Sequence, residues 1–205
     1  MSAVSKTEQV LRECEKFGLD IVAISEARWK GCGEKKSIAT VQKQQRKPVN
    51  ERILYARFVS NHAKLSLIVC YVPTDDADNT LKGEFYDILQ SVIDSIPHHD
   101  VTCIAGDLNA KVGQDRFYCP KVMGHHGFGT INENRPRFVS FTMGNDLLIC
   151  GTLFKHKYIH KYTWISPDST AKNKSKFPHP LEMANKPKRR SQVSEAPTLV
   201  QTTRY

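Results

Sequence analysis

No uninterrupted apolar run in this chain approaches the roughly 18 to 20 residues that a membrane helix needs, and acidic and basic side chains are scattered through its first thirty positions. Neither a membrane span nor a secretory signal is therefore expected. The chain also lacks a Cys-x-x-Cys pair: Cys14, Cys32, Cys70, Cys103, Cys119 and Cys150 stand far apart. That spacing argues against a thiolate zinc site, and the four cysteines set in apolar runs read as small core residues of a reducing, intracellular compartment. No self-similarity at a fixed period points to a solenoid or propeller. Acidic charge is scarce at one end. Residues 155–205 hold 11 Lys+Arg against 3 Asp+Glu, or +8, whereas residues 1–154 hold 19 against 18, or +1.

What is present is ordinary in bulk. Of the 205 residues 40% are hydrophobic and 25% charged, the composition of a globular domain rather than of a disordered or fibrous chain. The neutral part reads as one domain and the basic part as its tail. A polycationic tail draws any polyanion, nucleic acid first, without sequence preference; it serves equally well as a solubilising extension.

Along the chain, Val10, Leu11, Cys14 and Phe17 fall at helical spacing within 4–17, and Gly18 stands where a C-terminal cap is expected. Leu19 to Ile24 is a β-rich run, which puts Glu26 at a strand end. Residues 30–50, rich in Lys and Gln and poor in apolar side chains, read as an irregular link. Ile53 to Val59 and Leu65 to Val72 form a hairpin-like pair around Ser60-Asn61-His62-Ala63-Lys64, with Tyr71 and Pro73 at its end.

Thr74-Asp75-Asp76 suits a helix start, and Leu81, Phe85, Ile88, Leu89, Val92, Ile93 and Ile96 trace a long apolar stripe closed by Pro97. Val101 to Ala105 is a buried strand that delivers Gly106-Asp107-Leu108-Asn109 to its C-terminal edge. Residues 113–136 read as a loop rich in Gly, His and Asn. A short helix from Phe138 to Gly144, a strand from Leu147 to Phe154 and a last strand from Tyr158 to Ile165 follow. Lys172 to Arg190 has three Pro, many Lys and no apolar period, so 169–205 is expected to be a basic disordered tail.

Three strand ends thus carry polar residues: Glu26, Tyr71 and the Asp107/Asn109 pair. Polar groups gathered at strand ends are how an α/β scaffold builds a site. Carboxylates are hard oxygen donors suited to Mg²⁺ or Mn²⁺, ions that retain waters and take one or two protein carboxylates. Singly, each residue has a plain explanation: Glu26 as a solvated strand end, Asp107 and Asn109 as turn formers, Tyr71 as a half-buried aromatic.

Together, Ile21-Val22-Ala23-Ile24-Ser25-Glu26-Ala27-Arg28-Trp29, then Val69-Cys70-Tyr71-Val72-Pro73-Thr74, then Ile104-Ala105-Gly106-Asp107-Leu108-Asn109-Ala110-Lys111-Val112-Gly113 resemble successive motifs of the endonuclease/exonuclease/phosphatase superfamily. The run from Gly124-His125-His126-Gly127 to Asn134, followed by Gly151-Thr152-Leu153-Phe154 and Tyr162-Thr163-Trp164-Ile165-Ser166-Pro167-Asp168, is similar to the endonuclease domains of LINE-type retrotransposons and to craniofacial development protein 2-like sequences. The resemblance covers roughly residues 4–173.

It implies a four-layer α/β sandwich that cuts phosphodiesters, or phosphomonoesters in some branches, with Mg²⁺ or Mn²⁺. Glu26 and Asp107 would hold the metal, and Asp107 would also orient or deprotonate the attacking water. Asn109 would bind the phosphate, and Tyr71 would donate to the phosphate or the leaving group. Trp164 matches an aromatic that packs near the site in the family. DNA is the nucleic acid such a domain most often meets.

The pattern has gaps. The family's first strand, with its Asn, has no counterpart, and the Lys/Gln-rich link stands where central strands are expected after residue 34. Beyond Asn173 the strand bearing an Asp and the Ser-Asp-His element are not matched. His156, His160 and His179 occupy no equivalent position, and His125-His126 reads as loop surface.

The expectation is then a truncated domain at 1–168, with 30–50 as a link, and metal-dependent phosphodiester hydrolysis that is weak or lost. The alternative is a nucleic-acid-binding or interaction protein working through its tail, where Lys186-Pro187-Lys188-Arg189-Arg190 also matches a nuclear-import peptide.

Overall fold

Consecutive buried residues, rather than alternating ones, mark the centre of the fold. The computed structural model describes Arg12, Lys16 and residues 21–24, 44–61, 63–155, 183–185 and 199–202. In chain order the elements are β1 (Ile21–Ile24), β2 (Gln44–Pro48), β3 (Ile53–Val59), β4 (Lys64–Tyr71), α1 (Asn79–Asp94), β5 (Val101–Asp107), α2 (Asn134–Gly144), β6 (Leu147–Ile149), a short 3₁₀ turn (Cys150–Thr152), β7 (Met183–Asn185) and β8 (Leu199–Thr202). The result is a mixed α/β fold. Among the described residues, one sheet has the order β2-β3-β4-β5-β7-β6, and β1 pairs in parallel with β8 in a second.

Thr102 to Asp107 in β5 and Ser66 to Ile68 in β4 are buried without a break, as expected of strands covered on both faces. These two strands pair in parallel, Leu65 opposite Val101 through Tyr71 opposite Asp107, with α1 as the crossover between them. Residue parity separates the two faces. Ile68, Cys70 and Ile104 join Phe85, Tyr86, Leu89 and Val92 of α1 in the main core. Leu67, Cys103 and Ala105 form a second cluster with Phe58, Leu65 and Val69. Cys70, Cys103 and Cys119 are buried and in no disulfide among the described residues.

Helix α1 starts at Asp78 rather than at Thr74 to Asp76. The Asp78 carboxylate accepts from the Thr80 amide at 2.7 Å and caps the helix. Hydrogen bonds from Thr80, side chain first and then backbone, hold that carboxyl below its ordinary range. Asp75 serves a different helix: its Oδ1 accepts the Asn134 amide at 3.0 Å, at the start of α2. That helix begins four residues earlier than the expected Phe138, because Pro136 falls in the first turn, where the missing N–H has no intrahelical acceptor to lose.

Three other expectations change. Gln44–Pro48, inside the stretch read as an irregular link, is a strand paired antiparallel with β3 from Gln44 opposite Phe58 to Pro48 opposite Leu54. Ladder hydrogen bonds need only backbone groups, so the Lys/Gln composition hides the strand, and Pro48 is tolerated at an edge. The strand expected over 147–154 stops at Ile149, where the Thr152 hydroxyl donates to Ile149 O at 2.6 Å and closes the following turn. Within the region read as disordered tail, Met183–Asn185 lies between β5 and β6, and Leu199–Thr202 pairs with β1. Of the expected first helix only Arg12 and Lys16 are described, both helical and exposed. The expected strand at 158–165 lies outside the described residues. No described helix is long and apolar enough to cross a membrane.

At the N-terminal end of β5 sits Asp100, its side chain fully inaccessible. Arg57 of β3 donates to it through Nε at 2.6 Å and a terminal nitrogen at 2.9 Å, and Ser66 Oγ donates at 2.8 Å. The hydroxyls of Tyr55 and Ser66 are 3.0 Å apart, which extends the network across β3 and β4. The Arg57 hydrogen bonds, aided by Ser66 and opposed by burial, hold the Asp100 carboxyl below the usual carboxylate range.

Candidate active site at the C-terminal end of the central strands

The far end of β5 turns on Gly106. Its φ is +126°, and a Cβ there would lie 1.9 Å from the carbonyl oxygen of Cys70, its register partner on β4. Only glycine permits this approach. The close contact carries the pairing one residue past the strands, where the Val72 amide donates to Asp107 O at 2.9 Å.

Tyr71 and Asp107 are register partners in parallel strands and so project from the same side of the sheet. By parity that is the side of Leu67, Cys103 and Ala105, away from α1. Asp107 is 5% exposed and Tyr71 half-buried. The Tyr71 amide donates to Arg52 O at 2.9 Å, and the Arg52 guanidinium carbon lies 5.5 Å from the centre of the tyrosine ring. This cation–π contact sets a positive charge beside the ring.

Asn109 follows in the left-handed region, at φ +46°. That conformation, common for asparagine, brings its amide within 3.2 Å of Asp107 Oδ1 and lets its Nδ2 donate to Val72 O at 2.6 Å. Tyr71, Asp107 and Asn109 are therefore brought to one strand end. Glu26 lies outside the described residues, two positions past the end of β1. Cα atoms of β1 approach within 8 Å of β5.

Two further asparagines lock the arrangement. Asn134, 2% exposed at the start of α2, donates through Nδ2 to Pro73 O and to Asn109 O, both at 3.1 Å. Asn132 donates to the same Asn109 carbonyl at 2.8 Å, and its Oδ1 accepts the Lys111 amide at 2.8 Å. One side-chain amide thus ties the loop after β4 to the loop after β5. No role for Asn134, Asn132, Gly106 or Arg52 follows from residue type alone. The visible signal is two asparagines, Asn132 and Asn134, immediately before a helical stretch that ends a loop.

His126 is half-buried with its amide donating to Thr152 O at 2.9 Å, and His125 is exposed. His156, His160, Trp164 and His179 lie outside the described residues. Among the described residues no group of three or more His, Cys, Asp and Glu is placed to hold a metal ion. What Asp107 and its neighbours offer is one buried carboxylate amid amide and carbonyl oxygens. That donor chemistry fits a hard divalent cation, which takes one or two carboxylates, and not a zinc-type site.

No protein-family model matches the chain. It is 33% identical over 187 residues to craniofacial development protein 2 of Bos taurus, and 32% identical over 187 residues to that of Tragulus javanicus. Each match covers 80% of this chain, and over that span the sequences are homologues. The chain spans about a third of the length of these relatives, 31% and 32%. Among solved structures it is similar to the endonuclease domain of TRAS1, a telomere-specific non-LTR retrotransposon, at a TM-score of 0.45 and 11% identity, covering 70% of this chain and 53% of that one.

Proposed function

We propose that this chain is a metal-dependent phosphodiester hydrolase domain of the retroelement endonuclease kind, built as a four-layer α/β sandwich, with low turnover and with DNA as its substrate. The observation that carries the reading is the meeting of Tyr71 from one motif with Asp107 and Asn109 from another at one end of the β4–β5 pair.

Mg²⁺ or Mn²⁺ would be held by Asp107 together with Glu26, and when bound would neutralise charge on the non-bridging phosphate oxygens. The chain's own groups do the rest. The Asp107 carboxylate, buried and oriented by the Asn109 amide, aligns a water for in-line attack and takes its proton. The Asn109 side chain, held by Val72 O, helps to position the phosphate, and the Tyr71 hydroxyl donates to a phosphate or leaving-group oxygen. Arg52 beside the Tyr71 ring adds positive potential where the backbone of a nucleic acid would run. Turnover is low because no histidine of these 205 residues occupies the position of the family's catalytic one, and losing one member of a catalytic unit costs nearly as much as losing the unit.

Supercoiled plasmid with Mg²⁺ provides the test. The unaltered chain is expected to accumulate nicked circles and Asp107→Ala to accumulate none above background; equal nicking by both removes this site from consideration. The charge asymmetry favours a second contribution, non-specific DNA affinity from residues 155–205, with a net +8. Replacing Lys172, Lys174, Lys176, Lys186, Lys188, Arg189 and Arg190 by Gln, all outside β7 and β8, is expected to weaken DNA binding at low salt and to flatten its salt dependence. The basic run Lys186 to Arg190 fits access to the nucleus, which a fluorescent fusion reports directly.

A further inference from the structure

Two aromatic rings stand in solvent on the loop that leaves the site. Phe117 and Tyr118 are 79% and 81% exposed, with ring centroids 4.8 Å apart and planes at 86°. Their base is anchored. The Phe117 amide donates to Asp115 Oδ1 at 2.9 Å, and the Cys119 amide donates to Arg116 O at 3.0 Å, above a Cys119 side chain that is buried. Arg135 of α2 reaches under the turn, donating through Nε to Val112 O at 2.8 Å and through its guanidinium to Asp115 O and to Cys119 Sγ. Arg135 directly follows Asn134, whose amide holds the Asn109 carbonyl. A strut of two adjacent residues therefore links the aromatic tip to the candidate active site.

Two large apolar side chains left in water on a tied-down turn mark a surface that something covers. Positive residues flank them along the chain: Arg116 immediately before, Lys121 exposed just after, and Lys111 on the segment leading from Asn109, with one carboxylate, Asp115, between residues 111 and 121. An aromatic pair among cations matches nucleic-acid bases better than a protein face. Bases stack on rings whatever their identity, and the cations track the attached phosphates.

We propose that Phe117 and Tyr118 form a stacking platform for the unpaired bases of single-stranded nucleic acid whose backbone runs to the Asp107/Asn109 strand end. The inference rests on the hydrolase reading for the destination of the strand but not for the stacking itself. The substrate it selects is DNA with unpaired bases near the cleavage point, in preference to uniformly paired duplex.

The test uses the full chain in EDTA, with a fluorescein-labelled single-stranded DNA oligonucleotide and the blunt duplex of the same sequence, read by anisotropy across a salt series. The double variant Phe117→Ala/Tyr118→Ala is expected to lose roughly tenfold in single-strand affinity while keeping its salt slope and its duplex affinity, and Phe117→Trp is expected to retain binding. Unchanged single-strand affinity in the double variant overturns the proposal. So does an equal loss on duplex and single strand, and so does a wild-type chain whose self-association in sedimentation disappears with the rings, which makes the platform a protein interface. Plasmid nicking separates the two readings. Nicking with ring-independent binding refutes the platform alone; ring-dependent binding with no Asp107-dependent nicking supports the platform and refutes the hydrolase reading alone.

Discussion

A buried aspartate stands at each end of β5, and the two are held by different kinds of chemistry. Asp100, at the start, is fixed by side chains: two hydrogen bonds from the Arg57 guanidinium and one from the Ser66 hydroxyl. Asp107, at the finish, sits where backbone geometry dominates, with its Oδ1 on the Asn109 amide and its carbonyl on the Val72 amide. The neighbouring carbonyls of Val72, Pro73 and Asn109 accept from the side-chain amides of Asn109, Asn132 and Asn134. The Asp100 carboxylate is met by a charged side chain, whereas a backbone amide orients the Asp107 carboxylate.

Substitutions at four positions sharpen that contrast. Gly106→Ala is expected to have the largest effect, at least about 4 kcal/mol, because the new Cβ meets a backbone carbonyl that cannot withdraw without unpairing β4 from β5. Chemical denaturation reads it, and a loss below about 1 kcal/mol would show that the strand end is less constrained than its geometry implies. Asp100→Ala comes second, on the order of 2 kcal/mol, under the range for fully buried pairs because Arg57 keeps some access to water. Its effect depends on pH. The Asp100 carboxyl is held below its unfolded value of about 3.9, so its contribution is complete above that pH and lost as pH falls through the folded value. Acid titration of the unaltered chain should show a stability slope below about pH 4 that Asp100→Asn flattens.

Asn134→Ala removes both amide hydrogen bonds between the two loops and is expected to cost about 2 kcal/mol, with a larger proportional loss in plasmid nicking well below the melting temperature. If stability falls and nicking does not, the clip supports the fold and not the site. Asp78→Ala is the smallest, the loss of one helix cap, and thermal melting should show a slightly lowered midpoint without any change at the strand end.

The central elements are legible because their burial is written in side-chain type. The Val101 to Ala105 run, the stripe from Leu81 to Ile96 and the hairpin around Ser60 to Lys64 correspond to β5, α1 and the β3–β4 pair. What escapes the sequence is pairing that depends on backbone alone. β2 is built from Gln44-Gln45-Arg46-Lys47-Pro48, and β7 from three residues of the basic stretch, neither with an apolar alternation to announce it. At the site, residue types marked Tyr71, Asp107 and Asn109, since carboxylates and amides at strand ends have recognisable chemistry. The role of Asn134 is not legible because its work is done on carbonyls 25 and 61 positions away in the chain. Such a distance enters no local pattern.

The bare hydrogen of Gly106 has a genetic corollary. Any single-base change that alters a glycine codon installs a carbon, or a stop, at that position, so no substitution there is conservative. A copy of this gene drifting without selection forfeits the strand end at its first such hit, whereas one that retains the glycine keeps the means to aim Asp107.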